Sequence, residues 1–209
     1  MLGLVYKDLM VMRRTLLLYG AMGIVYGIIA IYGDQYGMVF ALMMIVSAMV
    51  PVSAISYDER SKWDKIVNTM PLSRKEIVLS KYVLAILLTA ISSVIIFAFY
   101  MLVPEMPLEE KAVTTAVMAM MAMLYQAALM PVMFKFGSEK GRTMMLAILF
   151  VPAVLIFAIG EMNIIDVNAA ISFLERNEAM IPYLMAGFVL AIYSLSMALS
   201  VKIYEEKDL

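Results

Sequence analysis

The chain has 209 residues, of which 64% are apolar and 16% charged, with a mean hydropathy of +0.91. Soluble domains run at about 45–50% apolar and about 25% charged, so the composition argues against a soluble domain or a disordered chain and for a bilayer-embedded protein. There is no cysteine and no histidine, and the net charge is −1. That removes disulfides, thiol chemistry and the commonest general base and metal ligand, and it gives no electrostatic footprint for nucleic acid.

Six charge-free apolar runs are long enough to cross a hydrocarbon core: 15–33, 37–56, 82–104, 112–134, 143–160 and 179–201. Each needs to be a helix, because backbone polar groups in lipid must find partners within their own segment. The segments between them are too short for a further folded domain, so the expectation is a single transmembrane domain over residues 1–209 with no fused ATPase. The first run is too long for the core of a signal peptide, and no small-residue cleavage site follows it.

Ahead of the first run, Leu2–Arg14 places Leu2, Tyr6, Leu9 and Met12 at near-helical spacing, with Lys7, Asp8 and Arg14 elsewhere. This predicts an amphipathic helix lying at the membrane surface. Run 15–33 carries Gly20, Gly23 and Gly27 on one face, where small residues let helices approach closely.

The segment 57–81 after the second run is the most structured of the connections. Ser56 and Glu59 have capping-box spacing, and Trp63, Ile66/Val67 and Met70 then repeat at helical spacing up to Pro71. Ser73 and Glu76 make a second capping box that starts a helix running into the third span. The expectation is therefore an elbow of two capped helices around one proline. Acids (Asp58, Glu59, Asp64) mixed with bases around a single aromatic anchor suggest a protein-docking surface.

Beyond the third span, the outer connections are short and acidic, and 169–174 is expected to form a re-entrant or interfacial helix. The methionines crowding the fourth run, such as Met118, Met121, Met130 and Met133, read as ordinary helix packing. Residues 137–143 lack the spacing and the lysine of a phosphate-binding loop.

Orientation follows from Lys and Arg. The N-terminal tail, 57–81, 135–142 and the C-terminal tail hold all but two of the sixteen basic residues, leaving Lys111 and Arg176 on the other side. Both termini and the elbow are thus expected in the cytoplasm. No ionisable residue falls well inside a run, which argues against a proton-driven transporter or an intramembrane enzyme.

The stretch from Ser56 to Asp64, with Asp58-Glu59 and Trp63, is followed by Met70-Pro71-Leu72-Ser73-Arg74 and Lys81-Tyr82. This resembles the short ABC-2-type permease subunits of Gram-positive bacteria, one relative of which exports phenol-soluble modulins, amphipathic cytolytic peptides. The resemblance implies an all-α permease with six spans, an N-terminal interfacial elbow helix and a cytoplasmic coupling helix. It implies export of amphipathic or antimicrobial-type peptides or other hydrophobic cargo across the plasma membrane. Its expected partners are two ABC ATPase subunits, a second copy or sister permease, and the lipid bilayer. The chain itself would hold no cofactor and no catalytic site; ATP and Mg would sit on the ATPase. Asp58–Met70 would be the coupling helix, with Asp58, Glu59, Arg60, Trp63, Asp64, Lys65, Pro71, Ser73 and Arg74 at the docking surface. Two alternatives stay open: a substrate-binding membrane subunit of an energy-coupling-factor importer, and a regulatory polytopic protein without transport.

Overall fold

The computed structural model describes residues 1–33, 36–67, 69, 71–104, 106–161 and 180–207. Every regular element among them is a helix: α1 (Leu2–Val11), α2 (Arg13–Gly33), α3 (Tyr36–Arg60), α4 (Trp63–Val67), α5 (Arg74–Tyr100), α6 (Leu108–Glu161) and α7 (Ile181–Glu205). The region expected to hold a helix at 169–174 lies outside the described residues, as does Met70; the same is true of the side chains of Asp64 and Lys65.

Four stretches are long and apolar enough to cross a membrane: Phe40–Arg60, Arg74–Tyr100, Leu108–Gly141 and Ile181–Glu205. The pair Leu2–Val11 and Arg13–Ala30, bent by 68°, brings the count to five if the two are taken together as one broken span. The outward faces of α2, α5 and α7 carry large apolar side chains such as Leu17, Ile24, Val94, Phe188 and Leu195 in the open. In water such continuous apolar surface drives association, whereas lipid tails solvate it at no cost. The chain is therefore an all-α, multi-pass membrane protein.

α6 is two limbs. Gly137 has φ 77° and ψ −179°, a region essentially reserved for glycine, and it breaks the helix between the fourth and fifth apolar runs. Met133 on the first limb meets Gly141 on the second so closely that a Cβ on Gly141 would strike its sulfur. Residues eight apart on a straight helix are about 12 Å apart along the axis, so the chain turns sharply at the break.

Packing is densest where α6 meets α7, and α3 is the hub for α2, α5 and α6. One core cluster joins Val52, Val78, Tyr82, Met130 and Tyr193. A second, around Phe40, Ile96 and Tyr100, has Phe40 and Tyr100 edge to face at 4.6 Å. Met130 and Met133 are fully buried while Met121 is exposed, so the methionines of α6 divide between core and outer surface.

Three local expectations change. No cap forms at Ser56: α3 runs on to Arg60, and the Ser56 hydroxyl donates back to the Val52 carbonyl. With no breaker between Ser56 and Lys62, whose φ is 53°, the helix simply continues past Ser56. The elbow is consequently not one helix over 58–70, but the end of α3, a turn, the five-residue α4 and the start of α5. On α1, Leu2 and Tyr6 are exposed, and the face packed on the bundle is Leu4, Val5 and Asp8, followed by Met12. A carboxylate on the inward face fits no hydrophobic wheel; its partners explain it.

Candidate functional site

Asp8 is buried because two lysines meet it. Lys7 Nζ lies 2.9 Å from Asp8 Oδ1 and 2.6 Å from Asp58 Oδ1. Lys81 Nζ lies 2.7 Å from Asp8 Oδ2 and also pairs with Asp58 Oδ2. Each lysine touches both carboxylates, so the four groups close a neutral ring. The ring joins three elements: α1 through Lys7 and Asp8, the end of α3 through Asp58, and the start of α5 through Lys81. The Lys81 and Asp8 side chains are only 4% and 2% exposed, so each cation is needed to offset the burial of the carboxylates. Lys7 Nζ also stands 4.4 Å from the centroid of the Trp63 ring, which draws α4 onto the same frame.

Glu59, next along α3, reaches the break in α6. Its Oε2 accepts from the Ser138 N–H at 2.6 Å, a charge-assisted cap on the first free donor after Gly137. The same carboxylate occupies the space a Cβ on residue 137 would need, so glycine is required there twice, by conformation and by approach. Arg74 Nη1 donates to the carbonyls of Tyr204 (3.2 Å), Glu205 (2.6 Å) and Lys207 (3.0 Å), closing the C-terminal end of α7 with a cation where the helix dipole favours one. Ser73 and Glu76 form a reciprocal capping box at the start of α5.

These contacts gather the N-terminal helix, the elbow, the 137–138 break and the C-terminus at one end of the bundle. They also sort the residues of the sequence-derived docking set. Asp58, Glu59 and Arg74 spend their charges inside the chain, and Ser73 serves as a cap. Trp63 is half-buried against the main core cluster. Arg60 and Pro71 are exposed, together with Ser61, Lys62, Ile66 and Thr69. Ile66, at 49%, is the open apolar side chain of α4.

The three glycines of α2 also divide. A Cβ on Gly23 would meet the Met43 side chain on α3, one on Gly27 would meet the Phe99 ring on α5, and Gly20 has nothing within 4 Å.

Deeper in the bundle is a seam of uncharged polar groups. The Tyr82 hydroxyl pairs with Ser196 Oγ (2.7 Å) and Ser200 Oγ (2.8 Å), Ser196 donates to the Ala127 carbonyl (2.6 Å), and Tyr193 donates to the Tyr82 carbonyl (3.3 Å). Gln126 Nε2 donates to Thr89 Oγ1 at 3.0 Å. The seam binds α5, α6 and α7 to one another. The sequence signals it only as isolated Ser, Thr, Tyr and Gln within apolar runs, with nothing to say which would meet. The ion ring likewise has no local signal, because Asp8 lies off the apolar face that the spacing of Leu2, Tyr6, Leu9 and Met12 suggests.

A search among curated proteins returns no match for the chain. The family model for ABC-2 family transporter proteins matches residues 3–205, almost the whole chain, including every member of the ion ring. That family consists of membrane subunits of ABC transporters, which work with an ATPase partner, and it favours a permease over an energy-coupling-factor subunit. With its apolar bundle and its conjoined elbow, this chain belongs to the ABC-2 transporter family.

Proposed function

We propose that the chain is the permease of an ATP-driven exporter in the plasma membrane, with six spans and both termini in the cytoplasm. Its cargo is an amphipathic peptide or other hydrophobic molecule, and it works as a dimer of permeases with two ATPase subunits. α1 lies at the membrane surface as the elbow helix. The fifth and sixth spans are the second limb of α6 and α7. The common end at which Lys7, Arg74, the 137–138 break and Tyr204 meet supports a shared side for these four base-rich segments.

The observation that carries the coupling reading is the ion ring. The elbow is tied to α1 and α5 by the ring and to α6 by Glu59, so a push on α4 is passed to several spans as a rigid-body displacement. The ATPase meets the part of the elbow that remains open: Ile66 as apolar contact, with Arg60, Lys62 and Pro71 around it. Trp63 supports this surface from beneath. Asp58 and Glu59 hold the elbow's shape and do not reach the partner.

The test is coexpression with the cognate ATPase. Ile66→Glu together with Arg60→Glu is expected to leave the chain in the membrane and to abolish copurification of the ATPase and cargo-stimulated hydrolysis. Retention of both activities in that variant would sink the docking surface. Failure of any amphipathic peptide to stimulate the wild-type complex would sink the cargo class.

A further inference from the structure

α2 packs on α3 and stands off from α5 along most of its length, leaving a half-open groove of about 1020 Å³. Its floor includes Met43 and Val50 on α3, and its far wall includes Leu88 and Ile95 on α5. At one end Phe99 sits on Gly27 and closes it. The other end lies at Leu9 and Arg13, on either side of the 68° bend between α1 and α2. Gly20 sits midway, and the lack of any atom within 4 Å of its Cβ position leaves the groove deep there.

We propose that this groove is a binding site for an anionic phospholipid, with its phosphate on Arg13 and an acyl tail lying along Gly20 toward Phe99. This goes beyond the coupling reading and rests on it only for the position of α1 at the bilayer surface.

Two observations on different features support the assignment. First, the charge fits. Arg13 is exposed, forms no ion pair among the described residues, and stands at this end of a channel whose other lining residues are uncharged and mostly apolar. A guanidinium there matches a phosphate in geometry and sign. Second, the length fits. From Arg13 to Tyr26 the groove follows α2 for thirteen residues, roughly 20 Å of helix rise. One leaflet's hydrocarbon is about 15 Å deep, half of an about 30 Å core, so a tail whose headgroup sits at the bend passes Gly20, about 10 Å along the helix, and covers most of the groove.

The test uses the full chain purified in detergent. It is titrated with phosphatidylglycerol and, separately, with phosphatidylcholine of the same acyl chains, and bound lipids per chain are counted by native mass spectrometry. Wild type is expected to retain phosphatidylglycerol in preference to phosphatidylcholine. Arg13→Gln is expected to weaken phosphatidylglycerol about tenfold, the size of one charge-assisted contact, and to leave phosphatidylcholine unchanged. Gly20→Phe, whose ring enters open space, is expected to remove the bound lipid whatever its headgroup. Wild-type phosphatidylglycerol binding in Arg13→Gln would overturn the proposal, as would an unchanged lipid count in Gly20→Phe. Because the chain has no cysteine, Gly20→Cys adds a lone thiol. A disulfide between two copies in the membrane would show a second protein chain in the groove and would overturn it as well. ATPase coupling can fail while the lipid result stands, and the reverse, so the two readings are separable.

Discussion

At the scale of single residues, the ring of Lys7, Asp8, Asp58 and Lys81 carries the highest stakes. Its net contribution to stability is small, because the desolvation of four charges offsets their attraction. Removing one member is another matter. Lys81→Met leaves two facing carboxylates buried with only the partly exposed Lys7 between them, and should cost about 3–5 kcal/mol in unfolding stability. Adding Asp8→Asn restores charge balance through the Lys7–Asp58 pair and should recover most of that loss. Thermal unfolding of the three proteins in detergent would check this. If the single variant melted like wild type, the ring would not be closed in solution.

At the scale of elements, the breaks matter more than the helices. α6 turns at Gly137, whose backbone conformation costs other residues about 1–3 kcal/mol, and whose approach to Glu59 leaves no room for a methyl group. Gly137→Ala should therefore be more destabilising than Glu59→Ala, which removes only the cap on Ser138, at about 1–2 kcal/mol. The double variant should be less than additive, because Glu59→Ala empties the space that the new Cβ needs. Unfolding measurements on all three proteins decide this. The elbow shows why spacing alone misleads at such points. Ser56 and Glu59 have the right separation for a capping box, yet the helix does not stop to be capped, and Glu59 finds its donor 79 residues away. Ser73 and Glu76 have the same spacing and do form the box, because Pro71 precedes them and a new helix must begin.

At the scale of the whole molecule, the bundle has a tightly joined part and a looser one. α5, α6 and α7 share the polar seam, and each hydrogen bond in it competes with other partners within the membrane. Tyr82→Phe, which removes the hydroxyl held by Ser196 and Ser200, should cost about 0.6 kcal/mol and no more than about 1.7 in a detergent unfolding assay. α2, by contrast, rests mainly on α3 and borders the apolar groove. In the proposed coupling, a shift of the elbow would pass chiefly to α1, α3, α5 and α6, with α2 following through α3.

The sequence by itself determined the class of protein, the apolar runs that became helices, the separation of charge between flanks, the start of α5 and the family resemblance. Each depends on the solvation preference or spacing of residues close together in the chain, which adds up locally and can be read in order. Only the tertiary structure decided which charges face a partner and which are consumed within. Lys7 meets Asp58 across 51 residues, Lys81 meets Asp8 across 73, and Arg74 meets Glu205 across 131. Ion pairing depends on distance in space and on removal from water, and neither is encoded in the pattern around any one of these residues. The same physics took Asp58, Glu59 and Arg74 out of the elbow's open surface and left Arg60, Lys62 and Ile66 on it.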